Sequence, residues 1–150
     1  MAQTTGHLSA VNATIEVSTD NATWTDISGS ANSVSPDGGE RMTGEGYTLG
    51  STDTALIAIG KKQPIALKLR IIYTEETDEA AYLIDGYYDN KTYVYLRYRP
   101  KGASVGAWQF VGRGYFTKPV VPPSDSGSAD ILMVEENWWG VELPITVQSS

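Results

Sequence analysis

The clearest period in the chain is the alternation between Gln63 and Thr74. Ile65, Leu67, Leu69, Ile71 and Tyr73 fall on one face, and Ala66, Lys68, Arg70 and Ile72 on the other. A period of two with one apolar face predicts a strand lying over a core. The period then lengthens. Ala80, Leu83, Ile84, Tyr87 and Tyr88 recur at helical spacing, which predicts a helix over about 77–89, with Thr74 or Thr77 as its N-cap and Glu75, Glu76, Asp78 and Glu79 near the positive end of its dipole. Alternation returns over 92–99, where Val94, Leu96 and Tyr98 oppose Tyr93, Tyr95, Arg97 and Arg99, and it continues through 108–118. Upstream, Ala13, Ile15 and Val17 form one strand, Thr19-Asp20-Asn21 supplies a turn, and Trp24 and Ile27 begin the return. Strands are also expected over 131–136 and 140–147, the last at a free edge because Pro144 has no N–H to donate. The stretch 28–60 is rich in Ser, Gly, Thr and Asp, with strand character only at Ala55 to Ile59, and reads as a long loop. The pattern predicts a mainly β fold, a sandwich or barrel with one flanking helix. It forms one domain with a mobile N-terminus over about 1–10 and a short C-terminal tail at 148–150.

Composition narrows the class. The chain has 150 residues, 41% hydrophobic and 19% charged, which excludes a disordered or collagenous chain, and its apolar runs fall far short of the ~20 residues of a membrane-spanning helix. MAQTTGHLSA has no basic start and no apolar centre, so no secretory signal and no membrane anchor are expected, and the absence of cysteine fits a cytosolic site of synthesis. The net charge of −7 has the wrong sign for gripping nucleic acid through its phosphates. The charge is also unevenly spread: residues 1–40, 41–118 and 119–150 carry −5, +3 and −5, and every Lys and Arg lies in the middle block. Acidic ends could lie beside the basic middle of the same chain, or the division could set head-to-tail register between copies.

Candidate chemistry is sparse. With no Cys and one His, His7, near the N-terminus, an activated nucleophile has no base to work with, and no enzyme is expected. The carboxylates at 75–79 are explained by a helix dipole and no His or Cys joins them, so neither metal nor cofactor is expected. Gly44-x-Gly46 and Gly112-x-Gly114 do not extend to a phosphate-binding loop; Gly114 reads as a bulge or a close backbone approach. Aromatic residues remain, with nine Tyr and four Trp against two Phe. Adjacent Trp138 and Trp139 cannot both face the core of a regular strand, and the outward Tyr93, Tyr95, Arg97 and Arg99 have the composition of protein interfaces. A sugar-stacking platform, an interface anchor and a plug at the end of a barrel all fit the tryptophans.

Three stretches together resemble a known family. They are Glu16-Val-Ser-Thr-Asp-Asn-Ala-Thr-Trp-Thr-Asp-Ile-Ser-Gly29, Ser33-Val-Ser-Pro-Asp-Gly-Gly-Glu-Arg41, and the strand ending Arg70-Ile-Ile-Tyr-Thr74 with a helix after it. With Leu96-Arg-Tyr-Arg-Pro-Lys-Gly102 and Gly112-Arg-Gly-Tyr-Phe-Thr-Lys-Pro119, the chain from about 11 to 145 resembles the tail tube (major tail) proteins of long-tailed bacteriophages. Related folds occur in contractile tail tubes and in the ring-forming protein of type VI secretion. The resemblance implies a structural virion protein, assembled in the host bacterial cytoplasm into hexameric rings that stack into a tube. DNA would pass through the lumen without specific binding, and initiator, terminator and tape-measure proteins would be further partners. It also implies that the segment from Ser28 to Gly60 is a hairpin reaching a neighbouring subunit, disordered until assembly. The candidate interface residues are then Arg41, Tyr47, Lys61, Lys62, Tyr93, Tyr95, Arg97, Trp138 and Trp139. The alternative is a carbohydrate-binding β-sandwich or adhesin domain that stacks sugars on Trp138, Trp139 or the outer tyrosines. Ser18-x-Asp20-x-x-Thr23-Trp24 is close to the Asp-box of sialidase-like propellers, but it lacks the glycine, is one residue short and occurs once.

Overall fold

A computed structural model describes every residue except 1, 2, 5, 7, 52, 128 and 150. After a short 3-10 turn at Ala10–Asn12 come β1 (Thr14–Ser18), β2 (Thr25–Asp26), β3 (Ala31–Gly38), β4 (Arg41–Gly46), β5 (Leu56–Lys62) and β6 (Ile65–Ile72). Then follow α1 (Ala80–Asp89), β7 (Val94–Arg99), β8 (Trp108–Phe116), β9 (Met133–Gly140) and β10 (Ile145–Val147). The fold is mainly β, antiparallel throughout, with one flanking helix among the described residues.

The main sheet runs β2-β1-β7-β8-β9-β6-β3, and β10 joins β8 on a second pairing; β4 and β5 pair only with each other. Its two end strands, β2 and β3, are successive in the chain, and the link between them ties the ends together. Ile27 N donates to Ile15 O at 3.0 Å, Ile15 N to Ser28 Oγ at 2.8 Å, and Ile72 N to Ser30 O at 2.8 Å. The sheet therefore curls round one core. That core takes Ile15 and Val17 from β1, Leu67, Leu69 and Ile71 from β6, Val94 and Leu96 from β7, and Phe116, Val134 and Trp138 from β8 and β9. Ala80, Ala81 and Ile84 of α1 close it, and Tyr87 stacks on Phe116 with ring centroids 6.2 Å apart.

The 28–60 loop is corrected: it contains β3, β4 and most of β5. β3 is Ser-rich and carries Pro36 because it is an edge strand, defined by its register with β6 from Ala31↔Ile71 to Gly38↔Ile65 rather than by a buried face. β4 shows no alternation because neither of its faces is covered. The helix starts at Ala80 rather than 77. Its N-cap is Glu79, in extended backbone with no side-chain cap, and Thr74 Oγ1 instead donates to Glu79 Oε2 at 2.6 Å, so neither Thr74 nor Thr77 caps it. The expected strands at 131–136 and 140–147 are redrawn as β9 and the short β10. β9 runs unbroken through both tryptophans because Val134, Glu136 and Trp138 all take the inward position, and an acid in that row hides the alternation. Gly114 does mark a close approach: a Cβ there would collide with the Trp139 carbonyl oxygen.

Candidate assembly interface

Beyond Pro64 the β3–β6 pair continues as a second ribbon that leaves the main sheet. Gly38 and Gly39 adopt φ of 82° and 79°, which only glycine takes without strain, and this turns the ribbon outward. Gly39 N donates to Pro64 O at 3.0 Å and Gln63 N to Glu40 O at 2.8 Å, so the hydrogen bonding crosses the kink. The β4–β5 arm follows, in register Thr43↔Ile59 and Glu45↔Ile57. Arg41 Nη1 donates to Gly60 O at 3.1 Å across the arm, and Lys62 Nζ pairs with Glu142 Oε2 at 3.2 Å, tying its base to the β9–β10 link. All of β5 is exposed, and so is β4 except Gly46.

The distal half of β5 is apolar as well as exposed, with Thr43 and Glu45 of β4 opposite Ile59 and Ile57 on the same face. Ile57 is 84% and Ile59 71% accessible, with Met42 and Leu56 exposed beside them and Tyr47 and Leu49 exposed at the tip. Each such side chain forgoes roughly 1.5–3 kcal/mol of burial, and a lone two-stranded hairpin is marginal in water. A second uncovered surface lies where β8 begins. Its inward row runs from Phe116 in the core through Gly114 and Gly112 to Phe110, which stacks on Tyr98 at 6.2 Å, and then to Trp108. There Val147 faces Trp108 and Ile145 faces Phe110 in register, and Trp108, Ile145 and Val147 are all exposed.

The outer face of β7 is a closed network. Glu16 receives Arg97 on Oε2 and Arg99 on Oε1, the latter at 3.3 Å, while the Arg97 guanidinium lies 4.3 Å from the centre of the Trp24 ring. Arg97, one of the interface candidates, is half-buried and sets its charge against Glu16 of the same chain. Tyr93 stacks on Tyr115 at 4.9 Å with the Arg113 guanidinium 5.1 Å above it. Tyr95, opposite Arg113 in register, is the largest influence that raises the Arg113 pKa, with Tyr93 beside it. Tyr93 and Tyr95 are thus half-buried members of this network.

The two tryptophans divide as expected, one inward and one outward. Trp138 is fully buried and its Nε1 donates to Val94 O at 3.2 Å, so it neither stacks sugar nor meets a partner, and its place in the interface set is corrected. Trp139 is half exposed, beside Tyr115 in register. Nearby, a cleft of about 570 Å³ is lined by Tyr88, Asp89, Lys91, Tyr115 and Phe116. Of the candidate residues, the structure groups Arg41, Lys61 and Lys62 at the arm's base and places Tyr47 at its tip; Trp139 lies apart from them. Lys61 and Lys62 sit at one end of β6, and Glu75, Glu76, Asp78 and Glu79 follow its other end.

Two carboxyl groups among the described residues have displaced pKa values. Asp20 falls to about 2 because Thr23 N, Ala22 N and the Ser18 hydroxyl all donate to its carboxylate, which fixes the β1–β2 turn. Glu136, 1% exposed with neither carboxyl oxygen hydrogen-bonded, is pushed up to about 8 by burial; Asp85 adds to the rise and Lys118 opposes it. Sequence reasoning missed Glu136, although its place between Val134 and Trp138 was the available signal. It also missed Ile57, Ile59, Trp108 and Val147, whose exposure a hydrophobic pattern does not show. His7 lies outside the described residues.

Among the described residues no helix is long and apolar enough to cross a membrane, and no three of His, Cys, Asp and Glu converge into a metal-holding group. No family model matches the chain, and no curated protein matches it.

Proposed function

We propose that the chain is a self-assembling structural protein of the tail-tube kind, forming stacked hexameric rings around a lumen that passes DNA. The observation that carries this reading is uncovered surface. The chain exposes 10414 Å² at 16.2 kDa, where a compact monomer of that mass exposes about 7,500 Å². The excess of about 2,900 Å² exceeds the roughly 800 Å² that one partner contributes to a standard interface. The exposed side chains include those of the β4–β5 arm, which no described residue outside it covers, as expected of a hairpin that completes its packing against a neighbour. The net charge of −7 suits a conduit along which DNA slides without phosphate contacts. In this reading the protein belongs in the virion tail, with initiator, terminator and tape-measure proteins as further partners. Sedimentation velocity over a concentration series tests it: species of ring mass and larger are expected, and a single monomer boundary at every concentration would count against it.

The carbohydrate-binding alternative is favoured by one feature, the Tyr88–Tyr115 cleft with half-exposed Trp139 near it. It requires saturable quenching of tryptophan fluorescence by oligosaccharides, lost in Trp139→Ala and unaffected by changes in the arm.

A further inference from the structure

The assembly reading leaves open what the arm touches, and a second uncovered surface of the same chain answers it. The row that packs the core at Phe116 emerges from cover at Trp108, where Ile145 and Val147 of β10 extend it. A sheet face continuous with the core and left bare lacks an occupant. Among the described residues β10 pairs only with β8, so its other backbone edge is open there. The arm offers a matching face, with Ile57 and Ile59 two residues apart on one side of β5, 84% and 71% exposed, against Trp108 and Val147 at 59% and 61%. The chain does not cover one with the other, since both are bare in the same molecule.

Resting on the assembly reading, we propose that the Ile57–Ile59 face of one copy's arm docks on the Trp108–Ile145–Val147 surface of a second copy. Each copy carries both halves of the contact, so a single heterologous interface buries both bare surfaces and repeats from copy to copy. That is the arrangement that yields rings when it closes and filaments when it does not. A two-fold exchange, with each arm on the other copy's surface, would use the same contact and stop at two copies, and the crosslinking pattern separates it from a repeat that continues. A foreign partner would have to supply two separate apolar surfaces that the chain already supplies to itself.

The chain has no cysteine, so placed thiols report the contact without background. Ile57→Cys and Val147→Cys are prepared as separate proteins, mixed at assembling concentration and treated with a short bismaleimide. Ile57→Cys mixed with Tyr82→Cys, on the exposed side of α1, is the control. A crosslinked heterodimer is expected from the first mixture and not from the control, and a chain carrying both Ile57→Cys and Val147→Cys is expected to give a ladder of dimer, trimer and higher bands. Ile57→Asp is expected to weaken assembly about tenfold or more, with near-ultraviolet circular dichroism unchanged because Trp138 and its surroundings are untouched. Rings or tubes seen by electron microscopy without the 57–147 crosslink would overturn this docking while leaving the assembly reading in place. A lone dimer band would overturn its heterologous character. A sample that neither crosslinks nor assembles at any concentration would overturn both.

Discussion

β5 and β6 are neighbours in sequence and each is more than half apolar, yet they live in different surroundings. β6, Ile-Ala-Leu-Lys-Leu-Arg-Ile-Ile, buries Leu67, Leu69 and Ile71 and sends Lys68 and Arg70 outward, whereas β5, Leu-Ile-Ala-Ile-Gly-Lys-Lys, is exposed along its whole length. The difference lies in what each strand pairs with. β6 sits between β9 and β3 with a core beneath it; β5 has only β4, a strand with two glycines and no face to bury. Apolar residues of the same kind hold one region together and leave the other awaiting cover. The main sheet encloses a core of its own, and in the assembly proposed above the arm is the part whose burial waits for a second copy.

That contrast is broken or sharpened by substitution. The largest effect on the isolated chain is expected at the core: Trp138→Ala removes a fully buried ring and its hydrogen bond to Val94 and should cost about 3–5 kcal/mol in denaturant unfolding. Ile57→Ala, equally apolar but on the arm, should change the same measurement by no more than about 0.5 kcal/mol. Equal losses at the two sites would mean that the arm is packed after all.

Next is the buried acid. Glu136 has a folded pKa of about 8 against an ordinary value of 4.5, so the folded state holds its proton more tightly than the unfolded state. This contribution to stability is full below about pH 4.5, declines as pH rises to about 8, and is flat beyond, with a slope of at most about 1.4 kcal/mol per pH unit. Urea unfolding from pH 5 to 9 should show that decline, and Glu136→Gln, which keeps the shape without the charge, should flatten it. An unchanged profile in the variant would place the pH dependence elsewhere.

Breaking the Glu16 network comes third. Arg97→Ala strands a carboxylate that is 8% exposed and leaves it only Arg99; a loss of about 2 kcal/mol is expected, below the full cost of an unpaired buried charge because that second arginine remains. The smallest effect on the monomer belongs to Lys62, whose pair with Glu142 is half exposed on both sides. Lys62→Glu should cost under about 1 kcal/mol. Reversing Lys61 and Lys62 together should nonetheless impair polymerisation if an acidic end of one copy meets the basic middle of another across a ring junction, and normal assemblies from that double variant would remove charge from the stacking account.

The sequence was legible wherever a strand has one face in the core. Leu67 to Ile71, Val94 to Tyr98 and the inward face of the helix could be read from spacing because burial writes a period into the residues. β3 and β4 left no such trace: an edge strand with Pro36 and a hairpin exposed on both sides are held by backbone hydrogen bonds, which any residue but proline can donate. The site was legible only in outline. Arg97 reads as an outward interface residue because its partner Glu16 is 81 positions away, and no local pattern brings the two together. The apolar run at Leu56–Ile59 reads as an ordinary strand, because hydrophobicity does not say whether the same chain covers a residue.

The most direct test of deferred burial is negative-stain electron microscopy of the purified chain at high concentration. Rings or hollow tubes are expected, with the arm bridging neighbouring copies. Fields of monomer-sized particles at every concentration would contradict the claim that the arm exists to be covered by another copy.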